Sequence, residues 1–137
     1  MVPVQQNLFR LDGHVALVNG ASSGLGRRAA TVLADAGAYV IGVARRADAL
    51  ESWIAECAGN RAALPADLSD EAGVAAMCEA TSGMFGAPDI LVHAAGVNLR
   101  QPAENITSDD WQLTQWLNLG APFFISQALV PAMKERG

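Results

Sequence analysis

The sequence predicts an α/β fold, a doubly wound parallel sheet of about four strands with helices on both faces. Three observations predict it. Short apolar runs begin about 22–28 residues apart along the chain. A stretch with helical patterning joins each run to the next. A glycine-rich turn follows the first run directly. Parallel neighbours cannot be joined by a tight hairpin and need a crossover, which a helix supplies, so this alternation is the rhythm of a βαβ sheet.

The elements follow in order. His14 to Asn19 (HVALVN) is the first strand, and the turn Gly20 to Gly26 leads into a helix from Leu25 to Ala36. That helix stops at Gly37, a residue suited to a left-handed cap. Tyr39 to Val43 (YVIGV) is the second strand. Asp48 and Glu51 have capping-box spacing and open a helix running through about Cys57. Arg61 to Ala66 (RAALPA) is the third strand, and its Pro65 cannot donate to a ladder, which confines it to an edge. The spatial order 3-2-1-4 places it there. Asp70 to about Met84 is the third helix, and Asp89 to His93 (DILVH) is the fourth strand. From Thr107 to about Lys134 the chain is helical, with Thr107 as cap and Asp110 three residues on. No linker, charge block or low-complexity tract interrupts it, so residues 1–137 are expected to form a single domain.

Composition narrows the function classes. The 137 residues are 51% hydrophobic and 17% charged, with a formal charge of −5. A disordered chain would have low hydrophobicity and high charge, and a nucleic-acid binder a net basic face. No run approaches the roughly 18 apolar residues of a membrane span. Met1 to Arg10 lacks a basic region followed by an apolar stretch, so no secretory signal is expected. Cys57 and Cys78 are too few for a disulfide framework and have no neighbouring ligands for a metal. A soluble, reduced, cytoplasmic protein without metal, membrane or nucleic-acid partners is the expectation.

The chemistry gathers at the strand ends. Gly20-Ala-Ser-Ser-Gly24-Leu-Gly26 allows a tight turn and close approach of backbone to an anion, and the helix N-terminus behind it adds free N–H groups and a favourable dipole. This makes Gly20, Ser22, Ser23, Gly24, Leu25 and Gly26 the candidate cofactor contacts of a Rossmann-type fold. At the end of the second strand Ala44 stands where an NAD site carries a carboxylate for the ribose 2′-hydroxyl. Arg45 and Arg46 follow it, and a guanidinium suits a 2′-phosphate instead. NADP is therefore favoured over NAD. Asp67-Leu68, closing the third strand, offers a carboxylate that either accepts from an adenine amino group or caps the next helix. A methyltransferase also uses a glycine loop after its first strand, but would want an acidic residue where Ala44-Arg45-Arg46 stand.

These residues resemble the short-chain dehydrogenase/reductase family throughout the length of the chain. The family's T-G-x-x-x-G-x-G motif is matched by Asn19 to Gly26 apart from its first residue. Its adenine-pocket aspartate falls on Asp67, its N-N-A-G motif on His93-Ala94-Ala95-Gly96, and its helix asparagine on Asn118. The resemblance implies hydride transfer between a nicotinamide and a carbonyl or alcohol carbon, with Ala95 and Gly96 at the cofactor. In the family a tyrosine is the general acid/base and a lysine lowers its pKa, which makes sense for a phenol near pKa ~10. A serine polarises the substrate oxygen, and the helix asparagine, here Asn118, holds a water linking the lysine to solvent.

Of these catalytic groups only Asn118 carries over. Val43 stands four residues after Tyr39 where the motif needs lysine, and Val130 stands four before Lys134 where it needs tyrosine. The chain is thus expected to be the cofactor-binding part of an oxidoreductase, incomplete at its C-terminus, binding NADPH weakly or not at all and turning over nothing alone. A non-catalytic NADP-binding module is the alternative. The resemblance further implies a small carbonyl or alcohol substrate, with Val97 to Glu104 tilting towards sugar acids or 3-oxoacyl groups, and a homo-oligomer when complete.

Two departures from the family pattern carry expectations of their own. Asn19 replaces the threonine and Ala94 the second asparagine, at adjacent strand ends, so Asn19 is expected to fill the space at Ala94 and take over its polar contact. His93 is expected to be satisfied by backbone partners, with a proton shuttle as the alternative. Trp53, Trp111 and Trp116 are expected to pack, and His14 is given no role.

Overall fold

Alternation of side chains across a strand sends successive residues to opposite faces, so a strand apolar at every position is covered on both sides. All five residues of β1 (Val15–Asn19) are buried, as are the last five of β2 (Tyr39–Ala44). In the computed structural model, which describes residues 8–56 and 59–137, these two strands form the centre of one parallel sheet. Its order is β3-β2-β1-β4, with β3 at Arg61–Pro65 and β4 at Ile90–His93. Register runs Leu17 against Ile41 and Leu91, with Ile41 against Ala62. Pro65 ends the edge strand β3, as its missing donor requires.

The two faces are distinct. Val15, Leu17, Ile41 and Val43 meet α3 (Glu71–Ser82) through Val74 and Met77, and α5 (Ala121–Arg136) through Ala121, Ile125 and Leu129. Ala16, Val18, Val40 and Ala44 meet α1 (Gly24–Asp35) through Ala30 and Ala34, and α2 (Ala47–Ala55) through Leu50 and Trp53. Alanines on the second face let α1 lie close to the sheet. Trp53, fully buried, fills the remaining depth over Gly42, where an added Cβ would sit 2.7 Å from the indole. The Arg61 guanidinium lies 5.2 Å from the indole centroid and donates to Trp53 O at 2.9 Å.

Local signals explain most helix ends. Gly37, at φ +105°, closes α1 with Ala38 N–H on Leu33 O and Gly37 N–H on Ala34 O, a Schellman arrangement. Asp70 caps α3 by accepting from Gly73 N–H at 2.8 Å. At α4 (Ser108–Gln115) Thr107 and Asp110 form the expected reciprocal capping box.

Three expectations need correction. Asp48 does not cap α2; Arg46 is the N-cap, without a side-chain bond, because the helix begins two residues sooner and leaves Asp48 within its first turn. The last helical stretch is not continuous: a π turn at Trp116–Gly120 separates α4 from α5. A short 3₁₀ turn at Ala103–Asn105 precedes them. Trp111 does not pack, being 59% exposed, whereas Trp53 and Trp116 do. Of the apolar residues of α5, Ile125 and Leu129 are buried against the sheet and Phe123 and Phe124 are exposed. Cys57, with the last part of the helix expected to reach it, and the first seven residues lie outside the described residues. Among the described residues no helix is long and apolar enough to cross a membrane.

Candidate functional site

Every candidate residue stands at the C-terminal edge of the sheet, where open α/β sheets place their ligand crevices. The turn after β1 crosses the segment after β4 with no room for side chains. A Cβ on Gly20, which holds φ +76°, would lie 2.5 Å from Ala95 N and 2.6 Å from the Ala94 carbonyl carbon. One on Gly26 would meet the Gly20 carbonyl group and come within 3.0 Å of Ala94 Cβ. Gly24, at φ +56°, faces open space instead. The turn is therefore closed against protein on one side and bare backbone on the other.

The N-terminus of α1 behind this turn is unfilled by the chain's own side chains. Ser23 is its N-cap but makes no side-chain capping bond, and the first backbone bond closes from Arg27 N–H to Ser23 O at 3.2 Å. By contrast Asp70 and Thr107 occupy the corresponding positions of α3 and α4. The α1 N–H groups and their dipole remain free for an anion. Beside them, Arg46 reaches over from the end of β2 and donates to Ser22 Oγ at 3.4 Å, and Arg45 is exposed next to it.

Asp67 and Leu68 follow β3 on the same edge. Asp67 is exposed and accepts from Ser69 N–H at 3.0 Å. Hydrogen bonding from Ser69, its side chain first and then its backbone N–H, with a smaller pull from Arg45, holds the Asp67 carboxyl below the usual carboxylate range. Capping of the next helix falls to Asp70, so Asp67 is the exposed carboxylate of this corner. Leu68 is buried, and its carbonyl accepts from Trp116 Nε1 at 2.8 Å, tying this corner to the π turn.

The β4 end is organised by Asn19. This amide is 2% exposed, and its Oδ1 accepts from both Ala94 N–H and Ala95 N–H at 3.0 Å. Its Nδ2 faces His93 Nδ1 at 2.8 Å, and His93 Nε2 meets Ser126 Oγ of α5 at 3.1 Å. The partners of His93 are thus two side chains and not the backbone groups expected from sequence. Ser126 carries no motif and offered no signal.

Asn118 sits in the π turn. Its Nδ2 donates to Val97 O at 2.8 Å and to Thr114 O at 2.9 Å, bracing the loop after β4 against the helix. A Cβ on Gly96 would lie 2.5 Å from Asn118 Oδ1, so a larger residue here would have to push the Asn118 carboxamide aside. Turns of π geometry are frequent at functional sites.

The structure does not bring Tyr39 or Lys134 to this edge. Tyr39 begins β2 at the opposite edge, with its ring 5.1 Å from that of Phe85. Lys134 is in the last turn of α5, two residues before Arg136, which holds Ala87 O and Asp89 ahead of β4. Asp89 there also accepts from Val15 N–H and lies 3.6 Å from the His14 ring, so His14 belongs to this far corner.

A short chain dehydrogenase family model matches residues 14–137. A D-threitol dehydrogenase of Mycolicibacterium smegmatis is 41% identical over 132 residues, covering 94% of this chain and 51% of that protein. The structure of an L-sorbose reductase from Gluconobacter frateurii, complexed with NADPH and L-sorbose, superposes with a TM-score of 0.86 at 31% identity, covering 94% of this chain and 51% of that one. A gluconate 5-dehydrogenase from Burkholderia cenocepacia, in complex with NADP and tartrate, gives 0.83 at 31% identity, covering 96% and 53%. The chain spans about half the length of the curated relatives it matches.

Proposed function

This chain belongs to the short-chain dehydrogenase family, and on that premise we propose that it forms the NADP-binding part of an oxidoreductase acting on a carbonyl or alcohol of a small polyhydroxylated substrate. A nicotinamide cofactor supplies the hydride acceptor or donor of such a reaction. The observation that carries the reading is the junction of the uncapped α1 N-terminus, the bare turn Gly20–Gly26 and Arg46 on Ser22. A pyrophosphate fits against the backbone N–H groups of Ser22, Ser23, Gly24, Leu25 and Gly26, where no protein group competes. Arg45 and Arg46 supply cations where a 2′-phosphate would stand, and no carboxylate replaces Ala44 to repel it. Asp67, ionised and exposed, is an acceptor for an adenine amino group, and Leu68 with Ala95 and Gly96 form the walls beneath the rest of the cofactor.

Asn118 is assigned as the group that orders the loop after β4 and holds a water on the proton path. The substrate class follows from the D-threitol, L-sorbose and gluconate enzymes among the relatives. Neither Tyr39 nor Lys134 stands at the site, so the tyrosine–lysine pair of the family is not assembled by these residues, and the chain is expected to turn over none of these substrates alone. In the whole protein a homo-oligomer uses the exposed aromatic face of Trp111, Phe123 and Phe124.

The test uses the adenine half of the cofactor. Adenosine 2′,5′-bisphosphate titrated into the isotopically labelled chain is expected to shift the amides of residues 20–26 and 45–46, at about tenfold lower concentration than 5′-ADP. That ratio corresponds to about 1.4 kcal/mol, one charge-assisted hydrogen bond. Equal responses to both nucleotides would remove the NADP assignment, and no response at residues 20–26 would remove the site.

A further inference from the structure

We infer that His93 is a positioning residue that must stay neutral, with its proton on Nε2, for Asn19 to hold the Ala94–Ala95 backbone beneath the glycine turn. The orientation of Asn19 is decided by its acceptor. Two backbone N–H groups converge on Oδ1 at 3.0 Å, so the amide cannot flip without turning its NH₂ towards two donors. Nδ2 therefore faces His93 Nδ1 at 2.8 Å with hydrogens only, and Nδ1 must accept. The imidazole proton is left on Nε2, where it donates to Ser126 Oγ at 3.1 Å. Asn19, His93 and Ser126 thus form one polarised chain from β1 through β4 to α5.

Protonation breaks this chain at a defined place. A proton on Nδ1 sets two donors against each other at 2.8 Å, and either escape is costly. Rotating the ring out abandons Ser126, and flipping the amide abandons both Ala94 and Ala95. Each outcome loosens the segment against which Gly20 is packed with no spare space. The residue is partly exposed to water, but among the described residues no carboxylate stands beside the ring to compensate an imidazolium. Asn19 of β1 and Ser126 of α5 are uncharged. Asp89, at the other end of the β4 segment, is engaged by Val15 N–H, His14 and Arg136. On α1, Arg27 is turned to Ala49 O, Ser52 and Glu56, and Arg28 is exposed. Lys134, Glu135 and Arg136 stand eight or more residues beyond Ser126 on α5. Desolvation of the ring likewise holds its pKa below the ordinary 6.5. Because the folded value is the lower one, the stabilisation is complete above 6.5 and is lost as the pH falls from there through the folded value.

The consequence for nucleotide binding rests on the reading of the turn as the cofactor site, but the tautomer does not. Long-range ¹H–¹⁵N spectra of the labelled chain at neutral pH are expected to show the Nε2–H tautomer. The amides of Ala94 and Ala95 are expected to shift together with the ring as acid is added, and to lose that response in His93→Asn, which offers an uncharged acceptor. An Nδ1–H tautomer, or amides at 94 and 95 indifferent to the ring's titration, would overturn the inference. If only the neutral form presents the segment correctly, adenosine 2′,5′-bisphosphate binds about tenfold more weakly for each pH unit below the ring's pKa. His93→Asn should abolish that slope, whatever its affinity at neutral pH. Binding that is firm but equally insensitive to acid in both proteins overturns the coupling. Absence of binding at every pH instead overturns the cofactor reading and leaves the tautomer and amide shifts to decide the latch.

Discussion

Replacing Gly26 by alanine sets two opposing effects against each other, and their sizes follow from the turn's geometry. In an ordinary helical position the change stabilises by about 1 kcal/mol, because alanine is the better helix former. Here the new methyl group would lie 2.7 Å from the Gly20 carbonyl carbon, closer still to its oxygen, and 3.0 Å from Ala94 Cβ. An ordinary contact begins near 3.4 Å, so turn and helix must separate by about 0.7 Å or more. Gly20 has little room to retreat, since even a methyl group added to it would run into the Ala94 and Ala95 backbone. Overpacking of this kind costs about 1–3 kcal/mol, and with backbone on both sides the upper part of that range applies. The net loss is about 1–2 kcal/mol, a fall of roughly 3–8 °C in Tm for a chain of this size. Gly24→Ala is the control, because its methyl group meets nothing within 4 Å and bears only the strain of φ +56°. That strain is about 1–2 kcal/mol, partly offset by the stiffer unfolded chain, leaving a loss of about 1 kcal/mol or less. Urea denaturation measures both, with amide shifts at Ala94 and Ala95 showing whether the crossing moves. A Gly26→Ala protein as stable as its parent, with those amides unmoved, would refute the tight crossing and with it the argument for glycine here.

Other predictions follow from neighbouring contacts. Asn19→Thr and Ala94→Asn should each destabilise by about 1–3 kcal/mol, through lost hydrogen bonds or a crowded Gly26, and the double change should cost less than their sum. Strict additivity in urea denaturation would show that the two positions do not compensate. Asp110 accepts from Gln101 Nε2 and from Thr107 N–H, and hydrogen bonding from Gln101 first and Thr107 second holds its carboxyl below 3.8. Its contribution is present above 3.8 and lost as the pH falls through the lower folded value, so Asp110→Asn should flatten thermal stability in that acid range. An unchanged acid profile would remove the capping box from the account. Arg46→Ala should erase most of the preference for adenosine 2′,5′-bisphosphate over 5′-ADP without shifting Tm by more than about 1 °C, since an exposed pair adds little stability. Retained preference in a titration would move the phosphate contact elsewhere.

Legibility in the sequence followed the range of the interactions involved. The strands were readable because β1 and β2 are apolar at nearly every position, which only a sheet covered on both faces requires. Pro65 was readable as an edge residue, which agrees with the order 3-2-1-4 without fixing it. The turn was readable because its glycines are demanded by local backbone geometry. Asp67 was ambiguous between two roles, and the structure removes the capping one, because Asp70 three residues later takes the cap. Ser126 was invisible, since its contact with His93 spans 33 residues and a serine on a helix announces nothing. The exposure of Trp111 was equally hidden, because amphipathic spacing does not say which part of an apolar stripe meets the sheet.

The π turn has a consequence for how the second half of the chain is phased. A π turn amounts to one residue more than an α-helix would use over the same path, and in a helix of 3.6 residues per turn one residue is about 100° of rotation. Ala121, Ile125 and Leu129 face the sheet in a frame offset by that angle from the frame of α4. Deleting one residue between Trp116 and Gly120 would restore a regular helix and swing that buried stripe a quarter-turn or more off the sheet. The surplus residue is therefore a phase correction. It lets Asn118 serve the crevice while Ile125 serves the core, two residues that seven positions of unbroken α-helix would turn to nearly the same face.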